Sequence, residues 1–232
     1  MADDTSNACA GCSCGASFPL PFTMAFQPLL RLATGAVEAH EALVRGPGGA
    51  LAARLGLAER LHLNVLPDGF RHPEHCLSPS LEAASEAGLS PGRITLELAE
   101  DGRLFDLAFM RRLIAACRAH GIRIALDDLG AGHAAIGTLI DLCPDMVKLD
   151  LKLVRGIDRD RLKRAQTLEV IAACRHLGLE IAAVGVATEG ELAVLANAQV
   201  ERAQGFLFAK PALERLVPPA EIARDGFGRA AA

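Results

Sequence analysis

IRIALDD, from Ile122 to Asp128, is a short apolar run that ends in two adjacent acids. Gly121 stands directly before it, where a left-handed residue commonly closes a helix. Upstream of this glycine, apolar residues recur at the three-to-four spacing of a helix with one buried face, namely Leu107, Met110, Leu113, Ile114 and Cys117. A helix, a tight loop and a strand with acids at its end predict one unit of an α/β fold.

The same unit recurs on both sides of this stretch. Two apolar segments, Met24 to Leu32 and Val37 to Arg45, flank a short glycine-containing loop that suits a hairpin. The other predicted strands are LHLNVL (Leu61 to Leu66), ITLEL (Ile94 to Leu98), MVKLDL (Met146 to Leu151), EIAAVGV (Glu180 to Val186) and RAQGFLF (Arg202 to Phe208). Eight strands with intervening helices predict a TIM-like (β/α)8 barrel whose first hairpin is antiparallel.

Length and composition are consistent with one barrel. The chain has 232 residues, of which 51% are hydrophobic and 22% charged, and its formal net charge is -4. We expect the barrel over residues 21–217, with flanking tails at 1–20 and 218–232. The charge balance argues against DNA as a partner, because duplex binding needs a basic excess. Charged residues and prolines interrupt every apolar run, and the acidic start is unlike a signal peptide, so we expect no membrane span and a cytoplasmic protein.

The seven cysteines fall into two groups. Four of them stand in apolar surroundings and are expected to be reduced core residues: Cys76, Cys117, Cys143 and Cys174. The other three, Cys9, Cys12 and Cys14, crowd into the N-terminal tail. A disordered, reduced tail is our interpretation, since a structural zinc site needs four ligands. Metal or redox sensing by these thiols is the alternative.

Polar side chains stand within or at the ends of the apolar strands. Working residues of such barrels lie at the C-terminal rim, so we expect this set to converge there: Glu41, Asn64, Glu97, Asp127, Asp128, Lys148 and Gln204. Within this set, four carboxylates and one amide, without His or Cys, favour a hard cation such as Mg²⁺, Mn²⁺ or Ca²⁺ over zinc. These five are Glu41, Asn64, Glu97, Asp127 and Asp128. The alternative is that each carboxylate pairs with an Arg or Lys at the rim.

These residues stand in motifs that resemble those of the EAL domain family. Glu41-Ala42-Leu43 matches the signature itself, and the similarity continues in order over about residues 21–213. The other matching segments are Phe26-Gln27-Pro28, Val44-Arg45, Asn64, Glu97-Leu98-Ala99-Glu100, Asp127 to His133, Lys148-Leu149-Asp150 and Gln204 to Phe208. The loop from Asp127 differs mildly, and we interpret its His133 as a solvated residue rather than a ligand.

The resemblance implies hydrolysis of cyclic di-GMP to linear pGpG by water activated on two divalent metals, Mg²⁺ or Mn²⁺. It implies a first metal on Glu41, Asn64, Glu97 and Asp127, and a second reached by Asp127 and Asp128. Lys148 is the implied catalytic residue, which steadies the attacking water. The implied substrate contacts are Gln27, Leu43, Arg45, Asp150 and Gln204, and Glu100 is the implied support of the loop that begins at Gly130.

One motif departs from the family pattern. Where the family has an AEGVET-like run, this chain has Ala183 to Thr188, so Val184 and Ala187 replace the two acids. Valine cannot bind a metal, and we therefore expect one metal site with the second left incomplete. Glu189 is expected to begin the next helix and to point elsewhere. If the second ion normally supplies about 4 to 5 kcal/mol, its loss slows turnover by roughly three orders of magnitude.

A second departure lies between Arg45 and Leu61. This segment is shorter than in the family by about thirty residues, more than an ordinary loop change allows. We therefore expect a shortened first helix around residues 46–60 and a thinner outer wall there. An apolar patch exposed by that change could receive a partner.

Three hypotheses follow from the sequence. The first is a degenerate EAL protein that binds cyclic di-GMP, a protein partner or a second copy of itself, and regulates rather than hydrolyses. The second is a slow phosphodiesterase in which water or Glu189 completes the second metal site. The third is a sensor whose cysteine tail controls the barrel.

Overall fold

A computed structural model describes residues 23–45, 56–65, 77, 81–82, 84–86, 88–99, 106–129 and 133–222. The strands are β1 Thr23–Arg31, β2 Val37–Arg45, β3 Arg60–Val65, β4 Ile94–Ala99, β5 Arg123–Leu129, β6 Met146–Leu149, β7 Glu180–Val184, β8 Arg202–Gln204 and β9 Ala212–Leu213. The helices are α1 Leu107–Ala119, α2 His133–Leu142, α3 Leu151–Val154, α4 Arg161–His176 and α5 Glu189–Asn197.

Strand β1 closes the sheet into a barrel. It pairs antiparallel with β2, with Gln27 opposite Glu41, and antiparallel with β8 on its other side. Strands β2 to β8 are parallel neighbours in sequence order. Gly35, with φ 67°, supplies the left-handed residue of the loop between β1 and β2. The predicted TIM-like barrel with an antiparallel first hairpin is confirmed.

Helix α1 forms where the apolar spacing predicts it. Asp106 caps its start by accepting hydrogen bonds from the amides of Ala108 and Phe109. Its buried residues are the predicted Met110, Leu113, Ile114 and Cys117. Gly121 then takes φ 76° and turns the chain into β5.

Three strands end earlier than predicted, each for a local reason. The strand from Met146 stops at Leu149, because the Asp150 carboxylate caps α3 instead of extending the sheet. The strand from Glu180 stops at Val184, because Gly185 has φ 77°. The strand from Arg202 stops at Gln204, and residues 205–208 form a turn.

The cysteine prediction is partly wrong. Cys117 and Cys174 are buried, and burial raises the pKa of each thiol to about 11, so both stay protonated at neutral pH. Cys143 is exposed instead. It follows the last residue of α2 with φ 44°, which takes it off the buried face of that helix. Cys76, Cys9, Cys12 and Cys14 lie outside the described residues.

The barrel interior contains an apolar layer of small and medium side chains. It consists of Leu29, Ala39, Ala125, Met146 and Ala182. Successive side chains of a strand alternate between its faces, so the residue two positions further along shares the same face. In β2, β5 and β6 that residue is polar, and it lies toward the rim that carries the candidate site. On β1, which runs in the opposite direction, the residue nearer this rim is Gln27, two positions before Leu29.

Two further segments pack against the core of the barrel. Beyond residue 217, a 3-10 turn at Pro219–Glu221 leads to Ile222, which is buried in the main core. Of the predicted short segment 46–60, residues 46–55 lie outside the described part, and Leu57 is buried against Phe26 and Leu61. Among the described helices, none is both long and apolar enough to cross a membrane.

We predict that Gly205→Ala destabilises the barrel. A Cβ at this position would lie 2.1 Å from the carbonyl oxygen and 2.4 Å from the nitrogen of Val186, and backbone cannot move aside as a flexible side chain can. The expected loss is about 3 kcal/mol or more in the free energy of unfolding, at the upper end of overpacking costs. Urea unfolding measures it. Gly137→Ala is the control, because a Cβ within α2 meets nothing within 4 Å; equal effects of both changes would contradict the prediction.

Candidate functional site

Five strands contribute one polar side chain each to a cluster at the rim of the barrel. They are Glu41 from β2, Glu97 from β4, Asp127 from β5, Lys148 from β6 and Gln204 from β8. Glu41, Asp127 and Lys148 each lie two residues beyond a member of the apolar layer. The two-residue period of the strands therefore points all three toward the barrel axis.

Lys148 lies in the middle of the carboxylates. Its ammonium is 2.7 Å from Glu97 Oε2, 3.2 Å from Glu41 Oε2 and 3.6 Å from Asp127 Oδ1. The side chain is almost fully buried. Burial alone would lower the pKa of Lys148, but the three carboxylates outweigh it and raise the pKa above its ordinary value. Lys148 is therefore a permanent positive charge at neutral pH.

Glu97 is the most deeply buried acid of the cluster. Its Oε1 lies 2.8 Å from Nδ1 of His62, and its Oε2 accepts from Lys148. Burial alone would raise the pKa of Glu97, but the charge of Lys148 and the hydrogen bond from His62 lower it to about 2. Glu97 is thus ionised over the physiological range, as a metal ligand has to be.

His62 was missed by the sequence reasoning. It lies two residues before Asn64 on β3, so both side chains are on the same face of the strand. This two-residue spacing was the available signal. A buried histidine that bonds a carboxylate fixes the rotamer of that carboxylate.

Glu41 joins the cluster to two amide side chains. Its Oε1 accepts from Asn64 Nδ2 at 2.8 Å, and its Oε2 accepts from Gln204 Nε2 at 2.7 Å. Gln204 Nε2 also donates to Gln27 Oε1 at 2.8 Å, and Gln27 Nε2 donates to the carbonyl of Ala209. Four of the predicted site residues therefore form one connected hydrogen-bond network.

The charges of the cluster suit a divalent cation. Three carboxylates face one ammonium, which leaves an excess of two negative charges. The donors are oxygen atoms, the type that Mg²⁺, Mn²⁺ and Ca²⁺ prefer. With Lys148 between the acids, the described residues hold no three His, Cys, Asp or Glu side chains already arranged as a metal cage.

The other predicted site residues lie on the same strands or outside the described part. Leu43 is half-buried on β2, and Arg45 ends that strand. Asp150 accepts from the amide of Lys152 at 2.8 Å as the cap of α3. Asp128 belongs to β5, while the side chains of Asp128 and Arg45, and the whole of Glu100, fall outside the description. His133, expected in a loop, is instead the first residue of α2.

Val184 stands at the rim beside the cluster. It is the last residue of β7, it pairs with Gln204, and it shares the interior face with Ala182 of the apolar layer. A half-buried aliphatic side chain therefore occupies a rim position next to Gln204, which itself contacts Glu41. As predicted, Glu189 begins the next helix, and it is exposed.

Glu191 is a second residue that the sequence reasoning missed. Its Oε2 accepts from the amides of Ala187 and Thr188 at 2.8 and 3.1 Å, and its Oε1 accepts from the amide of Gly156 at 2.8 Å. The carboxylate thus ties the loop after β7 to the loop after α3. The signal was a capping box, Thr188 followed three residues later by Glu191 before an apolar run.

Comparisons of sequence and of structure with known proteins point to the same family. The model of the family described as "EAL domain" matches residues 49–211, which is more than half of the chain. The solved structure of a standalone EAL protein from Vibrio cholerae O395, in a form bound to cyclic di-GMP, has a TM-score of 0.81 and 32% identity, covering 87% of this chain and 96% of that one. BlrP1 from Klebsiella pneumoniae, in a calcium and cyclic di-GMP complex, has a TM-score of 0.78 and 29% identity, covering 84% and 57%.

Two curated relatives are longer proteins. The cyclic di-GMP phosphodiesterase NbdA of Pseudomonas aeruginosa is 28% identical over an alignment of 221 residues that covers 80% of this chain and 28% of that protein. The blue light- and temperature-regulated antirepressor BluF of Escherichia coli is 29% identical over 164 residues, which are 70% of this chain and 41% of that protein. The chain therefore spans well under half the length of either relative.

We predict that Lys148→Met strongly destabilises the protein in metal-free buffer. The change removes the cation from three carboxylates, two of them buried, and breaking a buried charge pair costs about 3 to 5 kcal/mol. Urea unfolding at neutral pH with a chelator measures the loss. The matched control is Lys152→Met, whose side chain is 90% exposed, with an expected change within about 0.5 kcal/mol. Equal stabilities of the two variants would show that Lys148 does not hold the cluster together.

Proposed function

The chain belongs to the EAL domain family, and from this premise we propose that it is a binding or regulatory protein of cyclic di-GMP signalling with little or no phosphodiesterase activity. One observation carries the proposal. A connected set of acids and amides around Lys148 is retained, while the neighbouring rim position on β7 holds Val184. The first half of that observation favours ligand binding, and the second disfavours rapid hydrolysis.

Cyclic di-GMP is the proposed ligand. The Vibrio cholerae structure is described as bound to it, and the BlrP1 structure as a complex with it. In this chain, Gln27 and Gln204 form the polar wall beside Glu41, and Leu43, Arg45 and Asp150 are the further proposed contacts. A guanidinium at the end of β2 suits the ligand's phosphates, because its fork of donors matches two phosphate oxygens.

The proposed metal ligands are Glu41, Asn64, Glu97 and Asp127, with Asp128 reaching toward a second ion. Mg²⁺ or Mn²⁺ is proposed, and BlrP1 structures are described as calcium or manganese complexes. A bound divalent ion would lower the pKa of a coordinated water and make it a nucleophile for phosphorus. His62 holds Glu97 in place, and Asn64 and Gln204 hold Glu41, so both acids are oriented before any ion arrives.

Lys148 is proposed to act as an electrostatic group rather than as a base. Its raised pKa keeps the ammonium charged, so it has no lone pair with which to accept a proton at neutral pH. A fixed positive charge at the rim can orient a water molecule and offset negative charge that develops on the phosphate oxygens. Glu100 remains the proposed support of the neighbouring loop.

Val184 is the reason for proposing slow chemistry. An aliphatic side chain provides neither a metal ligand nor a base. Ala187 stands where the family has the second acid, and its backbone amide donates to Glu191. An ion worth about 4 to 5 kcal/mol of transition-state stabilisation changes the rate by roughly three orders of magnitude. A protein with that deficit would hold bound cyclic di-GMP much longer than an active phosphodiesterase does before hydrolysing it.

A slow phosphodiesterase is the second candidate. It is favoured by the convergence of Glu41, Glu97 and Asp127 at one rim and by the similarity to NbdA, which is named a phosphodiesterase. BluF, named an antirepressor, instead favours a regulatory role that involves a protein partner. A homodimer, the barrel limits at 21–217 and a sensory role of the cysteine tail stay predictions.

Titration and incubation with cyclic di-GMP test these alternatives. We expect saturable heat on titration in Ca²⁺, and less than one turnover per protein over several hours in Mn²⁺, measured as linear pGpG by chromatography. Glu41→Ala is the control that should remove any product. Absence of binding in both Ca²⁺ and Mg²⁺ would overturn the ligand assignment, whereas turnover comparable to that of an active phosphodiesterase would overturn the regulatory one.

Val184→Glu is expected to increase hydrolysis. It places a carboxylate on the interior face at the end of β7, beside Gln204, where it can serve as the missing ligand. The predicted gain in kcat is up to about three orders of magnitude in Mn²⁺. Val184→Gln is the matched control, since it has the same size without the charge. A folded Val184→Glu protein that is no faster than Val184→Gln would show that this position does not limit the rate.

A further inference from the structure

A cavity of about 370 Å³ lies at the opposite mouth of the barrel from the candidate site. Its charged lining consists of one acid, Glu38 of β2, and four arginines: Arg60, Arg123 and Arg202 at the starts of β3, β5 and β8, and Arg31 at the end of the antiparallel β1. Leu29, Ala39 and Met146 of the apolar layer form its floor. That layer separates the arginines from the carboxylate cluster.

The arginines outnumber the acids that pair with them. Glu38 is shared by Arg31 and Arg202, the latter at 2.6 Å, and Glu180 is shared by Arg202 at 3.3 Å and Arg123 at 2.5 Å. Arg60 donates to the carbonyl of Gly92 at 2.6 Å, which carries no formal charge. Among the described residues, these four guanidinium groups pair with two carboxylates, an excess of two positive charges within this set. Asp145 and Glu201, at neighbouring strand starts, accept from the backbone amides of Ile124 and Ile181 and do not line the cavity.

This excess of arginines favours a binding site for an anion over a ring of ion pairs that serves only stability. A ring that only stabilises the barrel needs no more arginines than its acids can neutralise, and it needs no cavity in front of them. Guanidinium groups stay charged at all physiological pH values, and each has five donors in a fork that fits phosphate. The side chain of Arg202 is only 10% exposed, so its charge acts at a lower effective dielectric constant than in bulk water.

We propose that this pocket binds a small polyanion that carries phosphate groups, at a site separate from the one proposed for cyclic di-GMP. The volume lies within the range of small-molecule sites, about 300 to 1,000 Å³. The apolar floor would contact the uncharged part of the ligand, while the arginines bind its phosphates. His62 also lines the pocket, and its Nδ1 bonds Glu97. The imidazole of His62 therefore lies between the pocket and the carboxylate cluster.

Pyrophosphate is the probe that tests the site. Titration calorimetry in a chelator keeps metal-dependent binding at the other mouth out of the measurement. We expect saturable binding that weakens as salt is raised, because an ionic site is screened. The double variant Arg31→Gln and Arg60→Gln should weaken binding at least about tenfold, the effect of losing roughly 1.4 kcal/mol. Arg31 is 43% exposed and Arg60 is only partly buried, so circular dichroism should show an unchanged fold.

Two further variants decide where the probe binds. Arg159→Gln removes an arginine that is 82% exposed and does not line the pocket, and it should leave the affinity unchanged. Arg45→Gln alters the proposed cyclic di-GMP contact and should also leave it unchanged. The proposal is overturned if pyrophosphate gives no saturable heat, if the double variant binds as tightly as the parent, or if Arg159→Gln or Arg45→Gln weakens binding as much as the double variant does.

Discussion

The buried contact between Lys148 and three carboxylates is the constraint on which the rest of this rim depends. An ammonium and acids taken out of water are tolerated only when they are close together and hydrogen-bonded. Glu97 meets that condition through Lys148 and His62, and Glu41 through Lys148, Asn64 and Gln204. These residues come from five strands, β2, β3, β4, β6 and β8, so the cluster forms only when the barrel is closed.

The same contact sets the chemistry that is open to the protein. Lys148 neutralises only part of the negative charge of the three carboxylates. The remaining negative charge attracts a divalent cation. Val184 breaks the series of polar rim residues at β7, and the loop that follows is held by Glu191 through three backbone amides. The rim is therefore hydrogen-bonded and charged on the side of Glu41 and Glu97, while β7 contributes no charged side chain to it.

The two mouths of the barrel carry opposite charge. Acids predominate at the rim where the parallel strands end, and arginines predominate where these strands begin, with five apolar side chains between them. In barrels of this kind, the ends of the strands usually carry function and their starts usually serve stability. Here the excess of arginines over the glutamates that pair with them, and the cavity in front of them, are the observations behind the binding role proposed for the second mouth.

The sequence by itself determined the strand and helix periods, the antiparallel first hairpin, and the rim acids, because these depend on local alternation and on motifs. It misplaced the ends of β6, β7 and β8, since Asp150 as a helix cap, the left-handed Gly185 and the close approach of Gly205 to Val186 act against the apolar pattern. Only the tertiary structure placed Lys148 among three carboxylates, His62 on Glu97, and Arg31 beside Arg202. These partners are far apart in the chain, and pairing them requires the register and closure of the sheet, which no local pattern encodes.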